Sequence, residues 1–148
     1  MPDLSIRLLI NLLSIAGALF ALWKGGPAER AAAVIVMANA LIGETAHWVA
    51  PGAEDIIRLV NDGFTALVLL VVTVRFSALW MGGVMLFFAA QFTLHSFYLV
   101  TERPPTDYLH ALINNIDWSG VIWCMVIGTA VAWRHRVRSR AALETPAP

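Results

Sequence analysis

Residues 63–100 read GFTALVLLVVTVRFSALWMGGVMLFFAAQFTLHSFYLV. Within that run the formal charge is confined to Arg75, in the brief link Arg75-Phe76-Ser77. The stretch before the link, Gly63 to Val74, is free of charge but short for a lone span, since crossing a bilayer takes about 20 apolar residues. The two turns ahead of it carry Asp55, Arg58, Asn61 and Asp62. Residues 55–74 and 78–100 are therefore read as a tight helical hairpin whose solvent is lipid.

The same pattern extends to both sides. Residues 4–23 and 30–50 form two further apolar helices, parted by Lys24-Gly25-Gly26-Pro27 and stopped by Pro51-Gly52. Glycine and proline break helices at such points. After Pro104-Pro105, residues 106–133 form a fifth helix. The expected fold is an all-α, polytopic transmembrane helical bundle of five spans in a single domain, residues 1–133. A basic tail follows over 134–148, rich in arginine up to Arg140 and partly disordered.

Composition agrees. Of 148 residues 59% are apolar and 14% charged, against about 45–50% and 25% in soluble domains. Disordered chains, disulfide scaffolds and ordinary soluble domains are excluded. Cys124, the lone cysteine, excludes an internal disulfide and a Cys-rich metal motif. The chain carries no phosphate loop, no Ser/His/Asp order and no nucleic-acid signature. Ala16-Gly17-Ala18 has the form of a leader cleavage site, but the preceding segment offers Asp3 and only Arg7, so the first helix is expected to be retained.

Charge sets the expected orientation. With five spans, Lys24, Arg30, Arg75, Arg134, Arg136, Arg138 and Arg140 share the side of the tail, whereas Arg7, Arg58 and Arg103 share the other. The positive-inside rule then puts the C-terminus in the cytoplasm and the N-terminus outside, in a bacterial inner membrane. Trp23, Trp80 and Trp133 fall at the inner ends, and Trp48, Tyr98 and Tyr108 at the outer ends. These are the interfacial depths such amphipathic rings favour. Trp118 and Trp123 lie deeper and are expected to pack between helices.

Polar groups inside the spans concentrate in the outer half. Glu44 and His47 are spaced i,i+3, Gln91 and His95 i,i+4, and His110, Asn114 and Asp117 i,i+4,i+7. Arg58 and Asp62, at i,i+4, can pair directly. Asn39 lies near the midplane. Charge inside a bilayer is costly, so such groups turn inward, pair or neutralise. The expected arrangement is one wet polar pocket open to the outside, formed by Glu44, His47, Asp62, Gln91, His95, Asn114 and Asp117.

Several chemistries could use that pocket. Glu44-x-x-His47 is half of a di-iron motif, whose second half is missing. His47, His95 and His110 lie at similar depth, and two facing imidazoles could ligate a haem b. Glu44, Asp62 and Asp117 could start a proton or cation path, although the inner half offers almost no polar steps to continue it. Gly82-Gly83 with Ala89-Ala90, and Gly43, permit close helix approach. The arginine-rich tail is a topology anchor drawn to anionic headgroups.

The residues Asn61-Asp62-Gly63, Arg75, Trp80, Gln91, His95, Trp118 and Trp133-Arg134 resemble those of small uncharacterised inner-membrane proteins of alphaproteobacteria. The resemblance covers helices 3 to 5 and implies no activity. The leading expectation is a non-enzymatic accessory or interaction subunit in the lipid bilayer, docked to a membrane-protein partner or to a second copy of the chain. A haem- or small-ligand-binding protein and a subunit of a proton- or ion-coupled transporter stand as alternatives.

Overall fold

Glycine and proline mark the first two helix breaks. α1 (Leu4–Lys24) and α2 (Pro27–Val49) are separated by Gly25-Gly26. Pro27 opens α2, where its missing N–H is no loss, and the Glu29 carboxylate accepts the Gly26 N–H at 2.5 Å. α2 gives way at Pro51-Gly52, with Gly52 at a positive φ of 86°. α3 (Glu54–Phe76) follows, and the Glu54 carboxylate accepts the Gly52 N–H at 2.8 Å. Ser77, in the left-handed region, turns the chain into α4 (Leu79–Val100). Asp107 then starts α5 (Tyr108–Glu144), its Oδ1 accepting the Leu109 N–H at 3.3 Å.

The computed structural model describes residues 4–103 and 107–144, with side chains over 8–103 and 107–143. Expectations for Asp3, Thr106, residues 145–148 and the Arg7 side chain lie outside these. Every regular element described is helical, so the protein is an all-α bundle. α2, α3, α4 and α5 are each long and apolar enough to cross a membrane, α3 among them despite its charged first turns. α1 has 21 residues, of which Leu8–Lys24 form a shorter apolar stretch. The chain is a multi-pass membrane protein.

Burial is inverted relative to a water-soluble domain. Leu41, Val60, Phe64, Leu67, Val71, Leu86 and Phe92 are exposed, while Asn39, Asp62, Thr65, Gln91, Asp117 and Thr129 are buried. Lipid tails solvate the first set, and only the bundle interior can satisfy the second.

Neighbours in sequence pack as neighbours in space, and α5 closes the ring onto α1 and also reaches α2. α1 presents Ser14, Gly17, Ala18 and Ala21 as a buried stripe of small residues, which allows close approach. Gly17 lies against Val126, and Trp118 Nε1 donates to Ser14 Oγ at 2.8 Å. The α4–α5 seam is built from aromatic rings on glycines. Phe87 lies over Gly120 and Trp80 over Gly128, so closely that a Cβ at either glycine would collide with the ring. Gly83 meets Cys124, but Gly82 faces open space. Trp118 packs edge-on against Phe88 as expected, whereas Trp123 is exposed, because it lies on the face of α5 turned away from its neighbours.

The helix expected to stop at Trp133 continues to Glu144. Its extension starts on a salt bridge between Arg136 and Glu29, N to O 3.1 Å. The bundle thus has two chemically different ends. The α2–α3 and α4–α5 connections mark the histidine end; the α1–α2 and α3–α4 connections and the helical extension mark the arginine end.

Candidate functional site

The site is assembled from four helices at the histidine end. On α3, Asp62 and Thr65 stand three residues apart on the buried face. From α2, Asn39 Nδ2 donates to Asp62 Oδ1 and to Thr65 Oγ1, both at 3.0 Å. An amide NH2 has two hydrogens, so both bonds are made at once. Asn61 Nδ2 in turn donates to the Asn39 carbonyl at 3.0 Å. A buried carboxylate needs such donors, because desolvated charge left unpaired is expensive.

From α4, His95 Nδ1 lies 3.1 Å from Asp62 Oδ2, the two side chains 11% and 7% exposed. The ring is at charge-pair range but out of line for a hydrogen bond. His110 of α5 stacks on His95 with centroids 5.3 Å apart and planes inclined by 24°. Tyr98, one turn beyond His95, meets His110 edge-on at 4.7 Å. The Tyr98 hydroxyl donates to Asp107 Oδ2 at 2.9 Å, so α4 and the start of α5 are tied together. That hydrogen bond favours the ionised carboxylate and holds Asp107 below its ordinary pKa.

Above these groups opens a cleft of about 330 Å³, whose walls include Asp55, His95, Tyr98, Arg103 and His110. His95 therefore belongs both to the cleft wall and to the buried network. Gln91 and Asp117 are buried toward the midplane, Asp117 with Oδ2 lacking a hydrogen-bond partner among the described residues. Asn114 is half-buried between Asp117 and His110 on α5. Farther toward the arginine end, Val36, Leu69, Val84, Phe88 and Val121 pack into an apolar layer. Water entering from the cleft meets hydrocarbon there.

Two expected members stand elsewhere. Glu44 is on the exposed side of α2. His47, its side chain 66% exposed, pairs with Glu54 at 3.0 Å across the α2–α3 turn. The inward face of α2 is fixed by Ala32, Val36, Asn39 and Ala46. At about 100° per residue, Glu44 and His47 rotate off that stripe. Arg58 is not what holds Asp62; Asn39 and His95 are.

The geometry does not favour haem. Bis-imidazole ligation aims two ring nitrogens at one iron from opposite sides, whereas His95 and His110 present their faces to each other and His47 lies on another surface. Among the described residues no three His, Cys, Asp or Glu side chains form a group that could hold a metal ion. What the site can do is exchange a proton at imidazole, and offer donors and acceptors to a small polar molecule in the cleft.

Asn39, Thr65, Tyr98 and Asp107 were not among the expected pocket residues. The available signal was the Asp62/Thr65 spacing on one helical face, and an Asp placed to cap α5. Comparison with protein-family models, with curated proteins and with solved structures returns no match.

Proposed function

We propose that this chain is a non-catalytic accessory subunit of a bacterial inner membrane, with its N-terminus outside and its arginine end in the cytoplasm. In this reading its outer cleft takes up a small polar ligand or a proton and reports it to a membrane-protein partner. The observation that carries the reading is His95, which lines the cleft and sits 3.1 Å from a buried carboxylate. Whatever protonates or contacts that ring changes the electrostatics of Asp62, and Asp62 is tied to α2 through Asn39. A local event in the cleft is thereby coupled to the packing of the bundle.

Orientation rests on the excess of lysine and arginine at the arginine end. The apolar layer beneath the site favours a sensor over a conduit, because a transport path needs polar steps through the inner half. Asp62, Gln91 and His95, three residues that carry the resemblance to small alphaproteobacterial inner-membrane proteins, all lie in this buried region.

Extraction from native membranes in mild detergent, followed by intact-complex mass measurement, tests the accessory role. The expected mass exceeds that of the 16.2 kDa chain by a partner. A species that always runs alone at monomer mass overturns the reading. Reporter fusions test orientation: a cytoplasmic signal from the C-terminus and a periplasmic one from the N-terminus are expected, and both on one side contradict it.

A further inference from the structure

The arginine end carries a second cleft, of about 270 Å³, whose walls include Trp23, Lys24, Arg30, Trp133, Arg136 and Arg140. We propose that it binds the phosphate of an anionic phospholipid headgroup. The assignment depends on this end meeting a bilayer surface, and holds for either leaflet.

The cleft exists because α5 outlasts α1. The stripe of α5 that packs on α1 includes Val126, which lies against Gly17. Seven residues farther the same stripe reaches Trp133, level with Lys24 at the end of α1, and Val137 and Arg140 then continue beyond it.

Two of its charges are fixed in place. Arg136 donates from Nη1 to Glu29 at 3.1 Å and from Nη2 to the Lys24 carbonyl at 2.8 Å. Lys24 Nζ sits 3.7 Å from the centre of the Trp23 ring and 5.2 Å from that of Trp133. Glu29 already holds Arg136 and the Gly26 N–H. Four cations thus gather around one engaged carboxylate, which leaves an excess of positive charge and of N–H donors. Arginine forks match phosphate oxygens in geometry as well as charge.

The surroundings select a lipid over a free anion. Trp23 and Trp133 mark a headgroup-level boundary, with rings that are apolar on one side and hydrogen-bonding on the other. One turn down α1 from Trp23, Leu19 is exposed and apolar, a surface on which an acyl chain can lie. Basic pockets at the ends of transmembrane helices suit such headgroups.

Native mass spectrometry of the full chain, with phosphatidylglycerol or phosphatidylcholine supplied to detergent micelles, tests the site. Retention of phosphatidylglycerol is expected to exceed that of phosphatidylcholine by about tenfold. The double substitution Arg30→Gln/Arg140→Gln, which spares the Glu29–Arg136 pair, is expected to abolish that preference without lowering the thermal midpoint measured in phosphatidylcholine. Equal retention of the two lipids by the wild type overturns the proposal with no variant needed, as does an undiminished preference in the double variant. Millimolar inorganic phosphate is the third arm. It is expected to leave the bound lipid in place, and displacement would reassign the cleft to a free anion.

Discussion

At the arginine end a buried carboxylate, Glu29, faces a guanidinium that stays charged at every physiological pH; at the histidine end a buried carboxylate, Asp62, faces an imidazole that does not. The arginine pair is direct, with two further hydrogen bonds to backbone groups of the α1–α2 link. The histidine pair is loose, and the carboxylate is held mainly by the neutral amide of Asn39. The first arrangement suits a permanent clasp. The second suits a group whose charge is meant to change while its position stays fixed.

Removing a clasp should cost most. Arg136→Ala leaves Glu29, 5% exposed, with only the Gly26 N–H as a partner. Breaking a buried pair costs several kcal/mol. Arg136 is itself 37% exposed, so a loss of about 3 kcal/mol, the low end of that range, is expected in denaturant unfolding in detergent. Arg136→Lys should recover only part, because a single ammonium cannot serve Glu29 and the Lys24 carbonyl with the same two-pronged geometry. No measurable loss in Arg136→Ala would show that water satisfies Glu29, and would remove the contrast between the ends.

A smaller loss is expected at the other end. Asn39→Leu takes the donor from Asp62 Oδ1 and Thr65 Oγ1, and the penalty for an unsatisfied buried polar group is about 2 kcal/mol. An Asn39→Leu variant as stable as the wild type would mean that the amide is not what satisfies Asp62 and Thr65.

The two ends were also unequally legible. Glycine and proline announced every helix break but the one at Ser77, and the uneven distribution of arginine separated the ends before any contact was known. Facing residues were harder to read. Glu29 and Arg136 are 107 positions apart, so no local spacing joins them, although Gly26 and Glu29 do stand at capping-box distance. His47 shares an i,i+3 spacing with Glu44, yet what matters is which face of α2 points inward, and small apolar residues decide that. Gly82-Gly83 invited a close-approach reading because the pair is adjacent. The seam instead uses Gly120 and Gly128, eight residues apart, which are recognisable only once Phe87 and Trp80 are seen to lie on them. His95 and Asp62, expected in one pocket, approach to 3.1 Å, and the same helices turn Phe64, Leu67, Leu86 and Phe92 outward.

The least effect, and the most specific control, lies at Asp107. It sits in the α4–α5 connection and accepts hydrogen bonds from the Tyr98 hydroxyl and the Leu109 N–H, and both favour the ionised carboxylate. Its folded pKa is therefore below the unfolded value of about 3.9. A lowered carboxylate pKa contributes stability that is complete above the unfolded value and vanishes as pH falls through the folded one. Between about pH 5 and 8 this contact should be constant, because the folded and unfolded values both lie below that window. Tyr98→Phe keeps the ring against His110 and removes only the hydroxyl. Amide exchange at Leu109 to Ala111 should then be faster in the variant at about pH 7, and the difference should shrink as pH falls below about 3.9. A difference that persists undiminished in acid would place the hydroxyl's partner somewhere other than Asp107.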